Sequence, residues 1–385
     1  MANDSWTTLR YLESSTNLQS AVERATGRRP STTQAREVGV CLQQGRLFYD
    51  AASKNEMAIR PLLQFYGMLA LAKALVIGRN CVNLSSLPQS HGLSDVSEPC
   101  KKIADLRIRV GEENTGMFQR FNEVTASLSG LRSFDFGSNP VKLLTPTANS
   151  SQLAGVTLTI SELFARVPGM TNLFEQTFRA PAKSMILQLT HCMGDQWEMR
   201  IDDPSPFSTV EDVARLSGNW RDRFPFLKKW VFQRAERAWG NSILYFANRP
   251  LMDREIEFDP FRFYQDERGF LPAPTARTTE PTKFNDISDL LEPLGGTISG
   301  WPVAIAPLEN NCYLNVYTLH YLALYLLSSL VRYRPNVWVH AISRSVSDGM
   351  PADDSTLAII DTFLGQNSTE IPGLVAEVLG SENAL

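Results

Sequence analysis

The strongest constraint in the sequence is the apolar stretch Leu314–Val331, which lies near the C-terminal end. Its apolar residues fall on every side of a 3.6-residue helical wheel, so the stretch predicts a helix buried all round. Its polar side chains are few, and they include one histidine. A single histidine on such a helix is usually a core residue with satisfied hydrogen bonds, and we interpret His320 in that way, with a functional role as the alternative.

This predicted helix ends at a proline. The residue before a proline avoids helical geometry, and proline itself suits a first helical turn. The pair Arg334-Pro335 therefore predicts a break, followed by a second helix through Trp338 to about Ser343.

A second stretch, Met57–Ile77, is as apolar as the first, with Pro61 placed in an early turn. We expect the two helices to contact each other in the core.

Leu314–Val331 has 18 residues, the short limit for a bilayer, and carries a histidine and an asparagine. We therefore predict a core helix of a soluble protein and no membrane contact.

The composition favours a cytoplasmic globular protein. The chain has 385 residues, of which 43% are hydrophobic, and a net charge of -4, so it has no global attraction to nucleic acid or anionic membranes. Its five cysteines are scattered and odd in number, which favours reduced thiols over disulfides or a zinc site. The first residues lack a basic and apolar leader, so we expect a cytoplasmic location.

The remaining chain predicts an α+β protein that is mostly helical, in which N- and C-terminal helices form one core and a mixed α/β insertion occupies the middle. We expect segments 1–32, 33–84, 85–310 and 311–385. Outside the two apolar stretches, helices are predicted over Thr33–Ala52, Ser161–Phe178, Thr209–Ser217, Ser355–Leu364 and Ile371–Leu379. Strand-like alternation occurs in Ile103–Val110, Met185–Leu189 and Trp197–Ile201.

Lys73 and His91 are candidates for a ligand cleft. Lys73 is a charged residue on an otherwise apolar helix, so it either extends to solvent or serves as a functional amine. His91 precedes Gly92 in a loop, where the glycine supplies an unusual backbone shape and the histidine a hydrogen bond. The alternative is that the imidazole contacts a ligand.

The stretch Asn219–Trp239 is the best nucleic-acid signal. Basic side chains alternate with aromatic ones, which would pair with phosphates and stack on bases. The same alternation is typical of a half-buried strand with a solvated face, and that interpretation stays open. The candidate phosphate-binding residues are Arg221, Arg223, Lys228, Lys229, Arg234 and Arg237.

Arg334 and His340 form a candidate catalytic pair. Their spacing resembles the R-x(4-6)-H arrangement of HEPN-type ribonucleases, in which histidine moves the proton of a ribose 2′-hydroxyl and arginine steadies the phosphate. The alternative is that Arg332 or Arg334 caps carbonyl groups at the end of the helix and that Trp338 packs as an anchor.

Other chemistry has little support. The sequence has no GxxxxGK[ST] loop and no GxGxxG after a strand, and Gly296–Gly300 places its serine one position too late for a GxSxG elbow. The four histidines are too dispersed for metal-ligand spacing, although His191-Cys192 could join ligands that are distant in sequence. We predict no metal and no cofactor.

Three separate motifs carry a family resemblance: the run FYGMLALAKAL, the following HGLS, and the distant LSSLVRYRPNVW. Together they resemble the YaaC-like family, over roughly Thr33 to His340. The resemblance implies a bacterial cytoplasmic protein, encoded near genes for nucleic-acid metabolism or phage defence. It supplies no catalytic residues.

Two classes of function follow. The leading hypothesis is a non-catalytic interaction or sensing subunit with a protein partner or a second copy of itself, and with nucleic acid as a candidate ligand. The alternative is a metal-independent ribonuclease that uses Arg334 and His340.

Overall fold

The computed structural model describes residues 2–99, 103–113, 115–128, 130–133, 141–144, 147–191, 197–201, 209–236, 242–247, 256–266, 269–277, 296–298, 301–342 and 354–380. The chain divides into two compact units. Unit 1 contains residues 1–128, 148–182 and 314–385, and unit 2 contains residues 129–147 and 183–313. The segment boundaries expected from the sequence stay a prediction.

The helices, in chain order, are α1 (Ala2–Leu12), α2 (Ser15–Thr26), α3 (Thr32–Lys54), α4 (Arg60–Asn80), α5 (Met117–Ala126), α6 (Ser150–Leu153), α7 (Ile160–Arg166), α8 (Thr171–Phe178), α9 (Val210–Arg223), α10 (Val316–Tyr333), α11 (Pro335–Ile342) and α12 (Asp354–Gly380). Helix α9 belongs to unit 2, and the others belong to unit 1. The protein is mostly helical with small sheets, as predicted.

The strands are β1 (Leu93–Asp95), β2 (Arg107–Val110), β3 (Gly130–Ser133), β4 (Val141–Leu144), β5 (Thr157–Thr159), β6 (Ser184–His191), β7 (Trp197–Ile201), β8 (Val231–Glu236), β9 (Ser242–Ala247), β10 (Ile256–Asp266), β11 (Gly269–Arg277), β12 (Gly296–Ile298) and β13 (Trp301–Ile305). Unit 1 has an antiparallel sheet in the order β1-β2-β5. Unit 2 has a sheet in the order β12-β13-β6-β7-β9-β8, together with the hairpins β3-β4 and β10-β11.

The two apolar stretches form α4 and α10, and they pack against each other in unit 1 as predicted. The Phe65 ring on α4 lies edge-on to Tyr321 and Tyr325 on α10, with centroid distances of 6.0 Å and 5.6 Å. Phe65 and Tyr321 are fully buried. Burying aromatic side chains of this size is among the largest contributions to a core, so this contact organises unit 1.

Local sequence explains where these helices begin. Ser31 and Gln34 form a reciprocal capping box at the start of α3. Pro61 occupies the first turn of α4, where its missing N–H is not needed. The Asn315 side chain accepts a hydrogen bond from the Thr318 amide at 2.7 Å, which caps α10.

The predicted break after α10 is confirmed, because α10 ends at Tyr333 and α11 begins at Pro335. The prediction of two helices in the tail is wrong, since α12 is continuous from Asp354 to Gly380 with Pro372 inside it. Proline normally breaks a helix, but Phe363 and Ile371 on either side of the predicted joint are fully buried. Packing against the core therefore overrides the local penalty.

Two strand predictions are confirmed by β6 and β7, whereas Ile103–Val110 is only partly a strand. Ile103–Asp105 form a 3-10 turn, and β2 covers only Arg107–Val110.

By length and composition, α4 is the helix in the described part of the chain that could cross a membrane, and 72% of its apolar window is buried inside the protein. Such burial is what a core helix shows.

His320 lies in the core, as predicted, but the hydrogen bonds expected for it are not formed among the described residues. It is fully buried and stacks on Phe363 with a centroid distance of 5.1 Å. Neither ring nitrogen has a hydrogen-bond partner among the described residues. Burial lowers the pKa of His320 to about 3, so the imidazole is neutral at physiological pH.

Candidate functional site

His91 is held between the two central helices of unit 1. Its imidazole is half-buried, and its centroid lies 5.2 Å from that of Phe65 on α4 and 5.6 Å from that of Tyr325 on α10. The Phe118 amide at the start of α5 donates to the His91 carbonyl at 3.1 Å, which fixes the loop. His91 is therefore a positioned side chain and not part of a loose loop.

The glycine after His91 is required by the backbone. Gly92 has a φ of 71°, a region that other residues rarely adopt, and a Cβ there would collide with the Gln119 side chain. The Gln119 amide donates to the Gly92 carbonyl at 3.0 Å. The backbone role predicted for the glycine is thus confirmed.

Burial and the charges of two cationic side chains lower the pKa of His91. Burial is the largest effect that lowers the His91 pKa, and the charges of Arg332 and Lys73 lower it further. Both cations are half-buried, and neither has a carboxylate partner in the part of the chain that the structure describes. The charge of Lys73 thus acts on His91, whereas a ligand cleft shared by these two residues stays a prediction. We name Lys73, His91, Tyr325 and Arg332 the His91 cluster.

From the sequence, Arg332 was expected only to cap carbonyl groups at the end of α10, and its effect on His91 was not predicted. It donates to the Ser328 carbonyl at 3.3 Å, and its guanidinium carbon lies 4.9 Å from the centroid of the exposed Tyr333 ring. Tyr325 and Arg332 are seven residues apart, so they share one face of α10, and that spacing is the signal that could have linked them. No sequence pattern predicts that the loop containing His91 packs against this face of α10.

Arg334, the candidate catalytic arginine, holds a loop in place. Its guanidinium contacts the Asp95 carboxylate at 3.4 Å and donates to the carbonyls of Ser97 at 2.7 Å and Glu98 at 3.2 Å. Burial alone would raise the pKa of Asp95, but hydrogen bonds from Ser97 and Ser329 and the Arg334 charge hold it below its usual value. The ion pair is thus present at neutral pH.

His340, the other member of the candidate pair, belongs to α11, and its side chain lies outside the described residues. The catalytic pairing stays a prediction. Arg334 binds carbonyl groups of the loop at Ser97 and Glu98 and not those of α10. Arg332 instead donates to the Ser328 carbonyl on α10, which agrees with the alternative.

The basic and aromatic stretch is not one strand. Its first part is the end of α9, which begins at the Thr209–Asp212 capping box, and a 3-10 turn over Pro225–Lys229 precedes β8. The interpretation as a single half-buried strand is therefore wrong. Helical spacing of Val213, Leu216 and Trp220, all buried, explains the difference.

Arg221 does not belong to a phosphate-binding surface. It is fully buried, and its guanidinium donates to Ser217 Oγ at 3.2 Å and to the Trp230 carbonyl at 3.3 Å. Of the other predicted basic residues, Arg223 is half-buried and Lys228 is exposed. The side chains of Lys229 and Arg234, and the whole of Arg237, lie outside the described residues.

The suggested metal pairing falls largely outside the described residues too, since Cys192 and the His191 side chain are not among them. In the part of the chain that the structure covers, no three histidine, cysteine or acidic side chains are grouped to hold a metal ion.

Comparisons with known proteins agree with the resemblance seen in the sequence motifs. The comparisons with curated proteins and with solved structures gave no match. A family model described as YaaC-like protein matches residues 1–379, which is nearly the whole chain. The chain therefore belongs to the YaaC-like protein family.

Proposed function

We propose that this protein is a non-catalytic sensing subunit of a bacterial assembly linked to nucleic-acid metabolism or phage defence, and that the His91 cluster binds the anionic ligand that it senses. What supports the proposal is that the charges of Arg332 and Lys73 both act on the half-buried His91 imidazole, and that neither cation has a carboxylate partner among the described residues. A bound anion would form charge-assisted hydrogen bonds with both cations.

The chemistry of the cluster fits a phosphate or carboxylate group. Lysine and arginine donate charge-assisted hydrogen bonds to such oxygens, and the guanidinium can do so in bidentate geometry. No hydrogen bond to the His91 ring nitrogens is formed within the described residues, so the imidazole can donate to the same anion. The cluster offers no nucleophile paired with a base, which supports binding over catalysis.

The proposal is tested by NMR titration of His91 with inorganic phosphate as the probe, its signal identified by its loss in His91→Asn. Because Arg332 and Lys73 lower the His91 pKa, a bound anion should raise it. We expect phosphate to raise the His91 pKa in the wild-type protein and to have a much smaller effect in the double variant Lys73→Gln, Arg332→Gln. Arg36→Gln, an exposed arginine on α3, is the matched control and should behave like the wild type.

An unchanged His91 pKa at saturating phosphate, or an equal change in the double variant, overturns the anion site. The non-catalytic role has a separate test, in which purified protein and His340→Ala are incubated with labelled RNA. Cleavage by the wild type that is lost in His340→Ala would establish the ribonuclease instead.

A sensing subunit also needs a partner, and we propose a second protein or a second copy of this chain. Val40 and Leu47 support an interaction role, because they lie seven residues apart on one face of α3 and are 60% and 54% exposed. Light scattering after size-exclusion chromatography, together with identification of co-purifying proteins, tests this. A monomer that co-purifies with no protein contradicts it.

A further inference from the structure

A cleft in unit 1, remote in sequence from the His91 loop, has the features of a ligand site. It lies among α1, α3 and α12 and has a volume of about 510 Å³. Small-molecule sites usually have volumes of about 300–1,000 Å³, so this cleft can hold a ligand the size of a nucleotide.

One wall of the cleft is formed by an aromatic pair, Trp6 and Tyr49. Tyr49 is buried and donates its hydroxyl to Asn367 Oδ1 at 2.8 Å. The Trp6 ring lies against Tyr49 with a centroid distance of 5.4 Å and stays partly exposed. A positioned indole that is still partly exposed is a suitable platform for stacking a flat aromatic ligand.

The charges around the cleft leave a positive excess. Arg46 contacts Glu13 through two nitrogens, at 2.7 Å and 3.1 Å, and Asp50 pairs with Lys54 at 2.6 Å. Arg10 is exposed on α1 and has no carboxylate partner in the described chain. The unbalanced charge at the cleft is therefore a cation, which favours an anionic ligand.

We propose that this cleft binds a mononucleotide, with the base stacked on Trp6 and the phosphate paired with Arg10. The two residues are four apart on α1, which corresponds to a rise of about 6 Å along the helix. A ribose separates its base from its phosphate by a similar distance. Asp50 supplies carboxylate oxygens that accept hydrogen bonds from ribose hydroxyls. The proposal uses none of the residues of the His91 cluster and is independent of it.

Isothermal titration calorimetry with AMP and adenosine tests the proposal. We expect AMP to bind the wild-type protein and to bind Arg10→Ala at least about tenfold more weakly, because the variant loses the phosphate partner. Adenosine should bind both proteins equally, since it has no phosphate. Arg36→Ala removes a comparable exposed arginine outside the cleft and should bind AMP like the wild type.

A second variant tests the proposed stacking of the base on Trp6. Trp6→Leu should weaken both AMP and adenosine, and a cooperative thermal unfolding transition checks that the variant is folded. Absence of AMP binding at millimolar concentration, or equal loss in Arg10→Ala and Arg36→Ala, overturns the proposal. AMP binding that is lost in Lys73→Gln and retained in Arg10→Ala also overturns it, and would support the anion site at the His91 cluster instead.

Discussion

Glu370 on α12 is a carboxyl group whose ionisation is opposed by burial. Burial raises its pKa to about 7 from an ordinary 4.5, and no cation in the described part of the chain offsets the effect. An acidic side chain in this state makes stability depend on pH in a defined direction.

Glu370→Gln should therefore stabilise the protein in alkaline solution. The unfolded chain loses the Glu370 proton above pH 4.5, whereas the folded protein keeps it until about pH 7, so wild-type stability falls across that interval. We expect the variant to exceed the wild type by about 1–3 kcal/mol at pH 8 and to match it below pH 4.5. Urea unfolding at both values measures this, with the exposed Glu56→Gln as the control. A variant that is less stable at pH 8 would contradict it.

His320 makes the stability of the protein depend on pH in the opposite direction. Its folded pKa is about 3, so below pH 6.5 only the unfolded chain takes up a proton, and stability falls as the pH drops from 6.5 toward 3. His320→Leu removes two ring nitrogens that have no partner among the described residues. The variant should be more stable by about 1–2 kcal/mol at pH 7.5, and by more at pH 5. Loss of stability at both pH values in urea unfolding would show instead that the nitrogens are satisfied in solution.

At the scale of elements, glycines let α3 and α4 approach closely. A Cβ on Gly45 would lie 2.7 Å from a Leu71 methyl carbon, and a Cβ on Gly67 would lie 2.8 Å from the Tyr49 ring. Both distances are shorter than normal contacts, and Tyr49 is held by its bond to Asn367. A side chain larger than that of glycine at either position would therefore not fit between the two helices.

Gly67→Ala should destabilise unit 1 by about 1–3 kcal/mol, because overpacking forces side chains from their preferred rotamers. Gly365→Ala on α12 is the matched control, since a Cβ at that position would have no neighbouring atom within 4 Å among the described residues. That change should leave stability unchanged or raise it by up to about 1 kcal/mol, as alanine favours helices over glycine. Thermal unfolding of both variants measures the contrast, and equal effects would contradict close packing at Gly67.

At the scale of the whole molecule, unit 1 is assembled from residues 1–128, 148–182 and 314–385. Phe363 on α12 joins two of these stretches, with centroid distances of 5.2 Å to Phe164 on α7 and 5.1 Å to His320 on α10. The Gln64 amide on α4 donates to the Leu364 carbonyl at 3.1 Å, which joins the third. The three stretches therefore share one core.

Phe363→Ala should weaken that core as a unit, at a cost of about 3–5 kcal/mol. Since the stretches are mutually dependent, hydrogen exchange should accelerate in α4 and α10 as well as in α12. The exposed neighbour Thr362→Ala should leave all three protected. Acceleration confined to α12 would show that the stretches unfold separately.

Much of unit 1 could be predicted because its signals are local. An all-round apolar pattern identifies α4 and α10, and a proline identifies the start of α11, since both depend only on neighbouring residues. The continuity of α12 through Pro372 and the burial of Arg221 could not be predicted. Both depend on what other elements place against them, as Trp230 does for Arg221.

The candidate site, too, could be predicted from the sequence only in part. The sequence identified Lys73 and His91 individually, as a charge on an apolar helix and a histidine before a glycine, and its motifs identified the YaaC-like family. Only the tertiary structure shows that the Arg332 charge acts on His91 and that the Arg334 guanidinium binds a loop carbonyl. Only the structure, too, shows that the His320 ring nitrogens have no hydrogen-bond partner among the described residues. The reason is that the energy of a charged or polar group depends on distance to groups far away in sequence, whereas helix formation depends on residues within one or two turns.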